Sequence, residues 1–259
     1  MEGYSKFFFD SEKKRRIFIA SVSESTSKEI DIAKGWSGLQ SFPRKIWLDK
    51  GGKQLVQCPV EEIEMLKTNQ VELHNVILDA GSKLEISVTA AQTRNLKALE
   101  LIGLGQIRPG PLSGPGPSPL DWLSLKLTEH AHLTFILLLN PNCTAVFFRI
   151  FKKNDIFIVI MGCDKKRSSV GLEYDKTNYA AFLDVDPVTE KLSQRTLIDH
   201  SIVESFGGGG KACITTRAYP TLAINNNAHI FVFNNGSQHV DISTLSAWSL
   251  NQVEIKLNH

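Results

Sequence analysis

A chain of 259 residues, 42% of them hydrophobic, can bury one large all-β domain or two smaller ones. Its 29 basic and 27 acidic residues leave a formal charge of +2, which gives no electrostatic reason to expect nucleic acid or an anionic membrane as partner. The longest apolar run, 133–139, is too short to span a bilayer, and Met1–Arg16 has no apolar stretch ahead of its charges, so no signal peptide is expected and the chain as written is expected in the cytosol.

Residues 7–27 read as two strands around a charged turn. Phe7-Phe8-Phe9 precedes the basic run Lys13-Lys14-Arg15-Arg16, and Ile17-Phe18-Ile19 with Val22 follows it. The basic run itself reads as a solvated turn. Ile46-Trp47-Leu48, then Asp49-Lys50-Gly51-Gly52, then Leu55-Val56-Gln57-Cys58 predict a β-hairpin. Pro59 with Glu61, Glu62 and Glu64 early and Lys67 late predicts one short helix over 59–68, a connector between two β units. Strands return at 71–78, 84–90, 145–151, 156–161 and 179–185, then at 198–206, 212–218, 229–233 and 240–245. Short strands separated by turn signals predict a sandwich, and Asn234-Asn235-Gly236 marks a tight turn. Residues 103–121 are rich in Gly and Pro, cannot sustain a ladder, and read as an irregular or disordered loop.

Most motifs favour bland readings. A phosphate loop at Gly207–Lys211 would need Gly where Ser205 stands and a hydroxyl where Ala212 stands, so the glycines read as a flexible turn. Cys58, Cys143, Cys163 and Cys213 form no C-x-x-C pair, which argues against structural zinc. His130 and His132 share a strand face without a third ligand at a metal-binding spacing, so no metal and no cofactor is expected. Glu204 is a tempting general acid, but its strand-like neighbours favour an exposed or turn-anchoring carboxylate. No G-x-S-x-G nucleophile elbow occurs. Asn142 and Asn235 head N-x-S/T sequons, which matter only on the secretory route.

Several lines carry a resemblance. They are YSKFFFD at Tyr4–Asp10, AKGWSGLQSFPRKIWLD at Ala33–Asp49, QCPVEEIE at Gln57–Glu64, VFFRIFK at Val146–Lys152, DHSIVESFGGGGKACITTRAYP at Asp199–Pro220 and LSAWS at Leu245–Ser249. In this order they resemble the C-terminal part of plant acid invertases, the β-fructofuranosidases of glycoside hydrolase family 32. The resemblance implies an all-β chain: residues 1–58 as the remnant of the last part of a five-bladed propeller, 59–68 as a helical linker, and 69–259 as a C-terminal antiparallel β-sandwich. Residues 99–145 diverge from the family and are expected to be partly disordered. The family hydrolyses terminal β-fructofuranosides such as sucrose with retention, using an Asp in N-D-P-N-G as nucleophile, an Asp in R-D-P as stabiliser and a Glu in an E-C line as acid. None of these lines occurs in the 259 residues, so no catalytic residue is assigned. The family's tryptophan in Q-W-P is Cys58 here, where a smaller side chain predicts a cavity. The resemblance also implies that Cys163 has lost a disulfide partner.

Three functions follow from this reading. The chain is a truncated invertase-like protein without hydrolysis of its own, or a fragment of a longer enzyme that takes sucrose or other fructosides once the propeller is present. The alternative is a carbohydrate-binding or interaction module that pairs with an intact invertase through bare strand edges. By family the location is the cell wall or the vacuole.

Overall fold

The computed structural model describes residues 4–86, 96–104, 130–131, 143–153, 156–168, 175–186, 190–219, 229–236 and 238–251. Asn142, His132, most of the Gly/Pro-rich stretch and the end of the strand expected at 84–90 lie outside the described residues.

The N-terminal sheet is built from hairpins. Strands β1 (Ser5–Asp10) and β2 (Arg15–Val22) pair antiparallel, with Phe8 opposite Ile17. Their turn is closed by the Lys13 amide donating to Asp10 Oδ1 at 3.2 Å. Helix α1 (Lys28–Lys34) follows, capped by the Ser27 hydroxyl at its start and by Gly35 in the left-handed region, φ 82°, at its end. The strand pattern had left this helix unnoticed. A two-residue strand β3 (Leu39–Gln40) pairs with β2, and β4 (Arg44–Leu48) pairs with β5 (Leu55–Pro59) as the expected hairpin. Asp49 Oδ1 organises that turn, accepting from the amides of Lys53 at 2.8 Å and Gln54 at 3.0 Å. The order is β1-β2-β4-β5, with β3 beside β2.

The connector is a 3-10 helix over Glu61–Leu66, not an α-helix from Pro59, because Pro59 still belongs to β5. It is tethered by the basic turn, which is therefore more than a solvated corner. Arg15 Nη1 donates to Glu62 at 2.9 Å, Lys13 pairs with Glu62 at 2.6 Å, and Arg15 Nε reaches Asp10 at 2.9 Å.

The remaining strands make the sandwich. One sheet has six strands in the order β15 (Ala212–Arg217), β14 (Ile202–Gly207), β13 (Leu192–Asp199), β8 (Leu96–Leu104), β17 (Val240–Leu250) and β6 (Lys67–Leu78). The facing layer holds β12 (Tyr179–Leu183), β11 (Ile156–Arg167), β10 (Cys143–Lys153) and β9 (His130–Ala131), and a separate pair joins β16 (Ile230–Phe233) to β7 (Lys83–Ile86). Between the layers lies a continuous apolar core that includes Phe148, Ile150, Val159, Met161, Val203, Ile214, Ile242 and Leu245. The run 198–206 is two strands, not one: it turns at His200, whose φ is 48°. Strand β8, which runs into the start of the segment expected to diverge, pairs with both β13 and β17 in the middle of the six-stranded sheet.

Candidate functional site

The chemistry-bearing side chains converge where the N-terminal sheet meets the six-stranded sheet. Strand β15 supplies one wall because its residues alternate. Ala212 and Ile214 enter the sandwich core, while Thr215 and Arg217 reach across to the N-terminal sheet. An apolar seam of Ile17, Val60, Ile63, Leu197, Phe206, Trp248 and Leu250 fills the space beside them.

Two buried ion pairs cross this seam. Arg44 Nη2, on β4, lies 2.6 Å from Glu204 Oε1, on β14, and their side chains are 7% and 0% exposed. The Phe42 amide donates to Glu204 Oε2 at 3.0 Å, and the Thr215 hydroxyl donates to Oε1 at 2.9 Å. The Arg44 guanidinium stacks between the rings of Phe18 and Phe206, 5.6 Å from each centroid. Burial pushes the Glu204 carboxyl above its usual range, against the pull of Arg44, Thr215 and the Phe42 amide. The second pair joins Arg217 to Glu24. Tyr219 completes it: its hydroxyl bonds Glu24 and accepts from the Ser25 amide at 3.0 Å and from Arg217 Nε at 3.2 Å. Trp36 lies against the Arg217 guanidinium at 5.7 Å and meets the His200 ring edge-on at 5.8 Å.

Glu204 is thus neither exposed nor a turn anchor. It is a buried tie between the two sheets, and its three partners, Arg44, Thr215 and the Phe42 amide, leave no acid function to assign. The glycine turn is likewise packed and not free. The Gly209 amide donates to Ser193 Oγ at 3.0 Å, Lys211 Nζ donates to the Asp184 carbonyl at 2.7 Å, and Gln54 Nε2 donates to the Lys211 carbonyl at 2.8 Å. Gly210 has φ 96°, and a Cβ there would sit 2.3 Å from the Gln57 carbonyl oxygen, so this close approach of two backbones requires glycine. Cys58 keeps contact with the sandwich through its sulfur, 3.3 Å from the Gly209 carbonyl oxygen.

A groove of about 450 Å³ opens beside the ion pairs, walled by Phe18, Ser23 and Ser25 on one side and Asp175, Tyr179 and Thr215 on the other. Asp175 is the carboxylate among its lining residues. Burial opposes its ionisation, but hydrogen bonds from Thr177 and Lys165 outweigh burial and hold it far below the usual carboxylate range. Retaining glycoside hydrolysis needs two carboxyl groups about 5 Å apart, one of them protonated, and among the described residues the groove does not supply that pair. Among the described residues no group of three His, Cys, Asp or Glu is placed to hold a metal. Asn235 lies half-buried in the turn after β16; its neighbour Asn234 fixes that turn, donating to the Leu78 carbonyl at 2.9 Å and accepting from the Gly236 amide at 2.9 Å. Cys163 is a buried free thiol on β11.

Sequence reasoning missed both ion pairs, since their partners lie 160 residues apart for Arg44–Glu204 and 193 apart for Arg217–Glu24. The one signal was indirect: charged residues inside strands whose neighbours are apolar.

The comparisons agree with this architecture. The model for the glycosyl hydrolases family 32 N-terminal domain matches residues 2–59, and the model for the C-terminal part of the same family matches residues 61–249. An insoluble β-fructofuranosidase isoenzyme of Arabidopsis thaliana is 47% identical over 97% of this chain and 44% of its own length. A fructan 6-exohydrolase of Beta vulgaris is 45% identical over 98% of this chain and 43% of its own length. The crystal structure of fructan 1-exohydrolase IIa from Cichorium intybus superposes with a TM-score of 0.83 at 42% identity, covering 97% of this chain and 48% of that one. The chain therefore spans a little under half the length of the relatives it matches. A last blade sheet tied to a sandwich, with family models matching on both sides of the connector, places this chain in glycosyl hydrolase family 32.

Proposed function

We propose that the chain is the C-terminal part of a β-fructofuranosidase, with residues 1–58 as the end of its propeller, 59–68 as linker and 69–259 as sandwich. Its role is to hold the last blade in a fixed orientation for a catalytic propeller that cleaves terminal fructosides such as sucrose. On its own it hydrolyses nothing, because the family's nucleophile and acid lines do not occur in its sequence. Relatives named as cell wall isozymes support a wall location for the complete enzyme, with Asn142 and Asn235 as its glycan acceptors in this part.

One observation carries the reading. Strand β1 lies at the edge of its sheet and exposes Tyr4, Phe7, Phe8 and Phe9, each at least half accessible. An aromatic edge strand of that kind is a surface built to be covered. The neighbouring blades of a propeller cover it; an isolated sandwich module has no use for it. The test is complementation. The purified chain is assayed with sucrose and 1-kestose alone, then co-expressed with the first half of an insoluble plant β-fructofuranosidase that ends before its last blade. No hydrolysis by either part and recovery of hydrolysis by the pair is the expected result. Hydrolysis by this chain alone, or a soluble complex with no activity, overturns the reading.

A further inference from the structure

Strand β15 shows its alternate residues to the N-terminal sheet in a fixed order. Thr215 hydrogen-bonds Arg44, Arg217 pairs with Glu24, and Cys213, two residues before Thr215 on the same face, packs against the apolar seam. Two strand residues span about 6.6 Å, so Cys213 lies that far from Thr215 toward the glycine turn. Strand β5 arrives at the same place. Pro59 sits opposite Arg44 and Cys58 opposite Lys45, so Cys58 is one residue removed from the position facing Arg44. The Cys58 sulfur lies 3.3 Å from the Gly209 carbonyl oxygen, and a Cβ on Gly210 would be 2.7 Å from it. Gly210 precedes Cys213 by three residues. Both residues carry thiols and both are half-buried.

We propose that Cys58 and Cys213 form a reversible disulfide that staples the blade to the sandwich across the seam. The oxidant is a small disulfide of the glutathione class. The Cys58 thiolate attacks it, forming a mixed disulfide and expelling one glutathione thiolate. The Cys213 thiolate then attacks the Cys58 sulfur and expels the second. Two protein thiols become one disulfide, the oxidant is reduced to two thiols, and the two protein protons pass to the departing thiolates. Burial pushes the Cys213 thiol up to about 12, so the closing step is slow at neutral pH and gains about tenfold per pH unit. Half-burial leaves the pair reachable, whereas Cys163, 1% exposed in the sandwich core, is shielded from the same oxidant.

The full chain is equilibrated with oxidised glutathione, alkylated with N-ethylmaleimide, digested with trypsin without reduction and analysed by mass spectrometry. Peptide 54–67 linked to peptide 212–217 is the expected product. It disappears after dithiothreitol and is absent from Cys58→Ser and Cys213→Ser. The melting temperature of the wild-type chain rises on oxidation, and that of Cys58→Ser does not. Full alkylation of Cys58 and Cys213 after equilibration, or a bridge made instead to Cys143 or Cys163, overturns the proposal. None of these readouts depends on fructoside cleavage, so failure here and failure of the complementation test are separate results.

Discussion

Removing the carboxylate of Glu204 is the most informative perturbation of the seam. In Glu204→Ala the Arg44 guanidinium stays between Phe18 and Phe206, 7% exposed, without its counter-ion. Breaking a buried pair from one side costs about 3–5 kcal/mol. The Phe42 amide and the Thr215 hydroxyl lose their acceptor as well. Each orphaned buried donor costs about 1–3 kcal/mol if no water replaces the carboxylate, and a cavity the size of that group admits water. The expected total is about 4 kcal/mol, a large share of the roughly 5–15 kcal/mol that stabilises an ordinary domain. Removing both charges together is a different experiment. Arg44→Met with Glu204→Leu leaves no uncompensated ion and keeps the volume, but the Phe42 amide still lacks its acceptor, so it is expected to cost about 1–3 kcal/mol, less than Glu204→Ala. Urea unfolding followed by tryptophan fluorescence measures both, because Trp248 belongs to the seam. A Glu204→Ala cost under about 1 kcal/mol would refute the reasoning, as would a double variant as unstable as the single one.

Two further outcomes follow from the same geometry. Gly210→Ala forces a Cβ to 2.3 Å from the Gln57 carbonyl oxygen at φ 96°, so blade and turn must separate; the expected loss is about 2–4 kcal/mol in urea unfolding, against about 1 kcal/mol for Gly209→Ala, where nothing lies within 4 Å and only the positive φ of 66° is strained. The Arg15 cluster predicts an acid limb. Hydrogen bonds from Arg15 and Lys13 hold the Glu62 carboxyl at about 2, and hydrogen bonds from the Lys13 backbone and Arg15 lower Asp10. A depressed carboxylate stabilises the fold above its unfolded value and stops doing so as pH falls through its folded value. Stability is therefore expected to fall from about pH 5 toward pH 2, and less steeply in Arg15→Met or in high salt; equal slopes in all three conditions would exclude the cluster as the cause.

What the sequence disclosed and what it hid divide along physical lines. Hairpins were legible because their signals are local: β4 and β5 flank Asp49 and two glycines, and Asp49 does fold the turn onto its own side chain. Helix α1 was hidden by its length. Seven residues cannot establish a helical period, so only the caps Ser27 and Gly35 announce it. The break at His200 was hidden because neither Gly nor Pro marks it; a histidine takes the positive φ and the apolar run continues on both sides. Glu204 was misjudged for a related reason. Every residue of β14 is buried, one face by the sandwich core and the other by the blade, so alternation carries no information about which side is wet. The partner that explains it comes from another sheet and another third of the sequence.

The polar character of this seam bears on what the sandwich is for. An apolar interface made only of Ile17, Val60, Ile63, Phe206 and Trp248 would hold blade and sandwich together about as well, because burying charged pairs returns little net free energy. It would not fix their angle, since hydrophobic contact has no direction. The Arg44–Glu204 and Arg217–Glu24 pairs stand two strand positions apart along β15, at Thr215 and Arg217, and each tolerates one geometry. Two fixed points on one line, with Gly210 pressed on Gln57 at its far end, leave the blade no freedom to slide or twist on the sandwich. Strand β1, at the other edge of that sheet, is then presented with its aromatic side chains in one orientation. Under the proposed function, that rigidity would serve an enzyme whose remaining blades must meet this edge in register before its carboxylates can face a fructoside, and it would be worth nothing to a domain that acts alone.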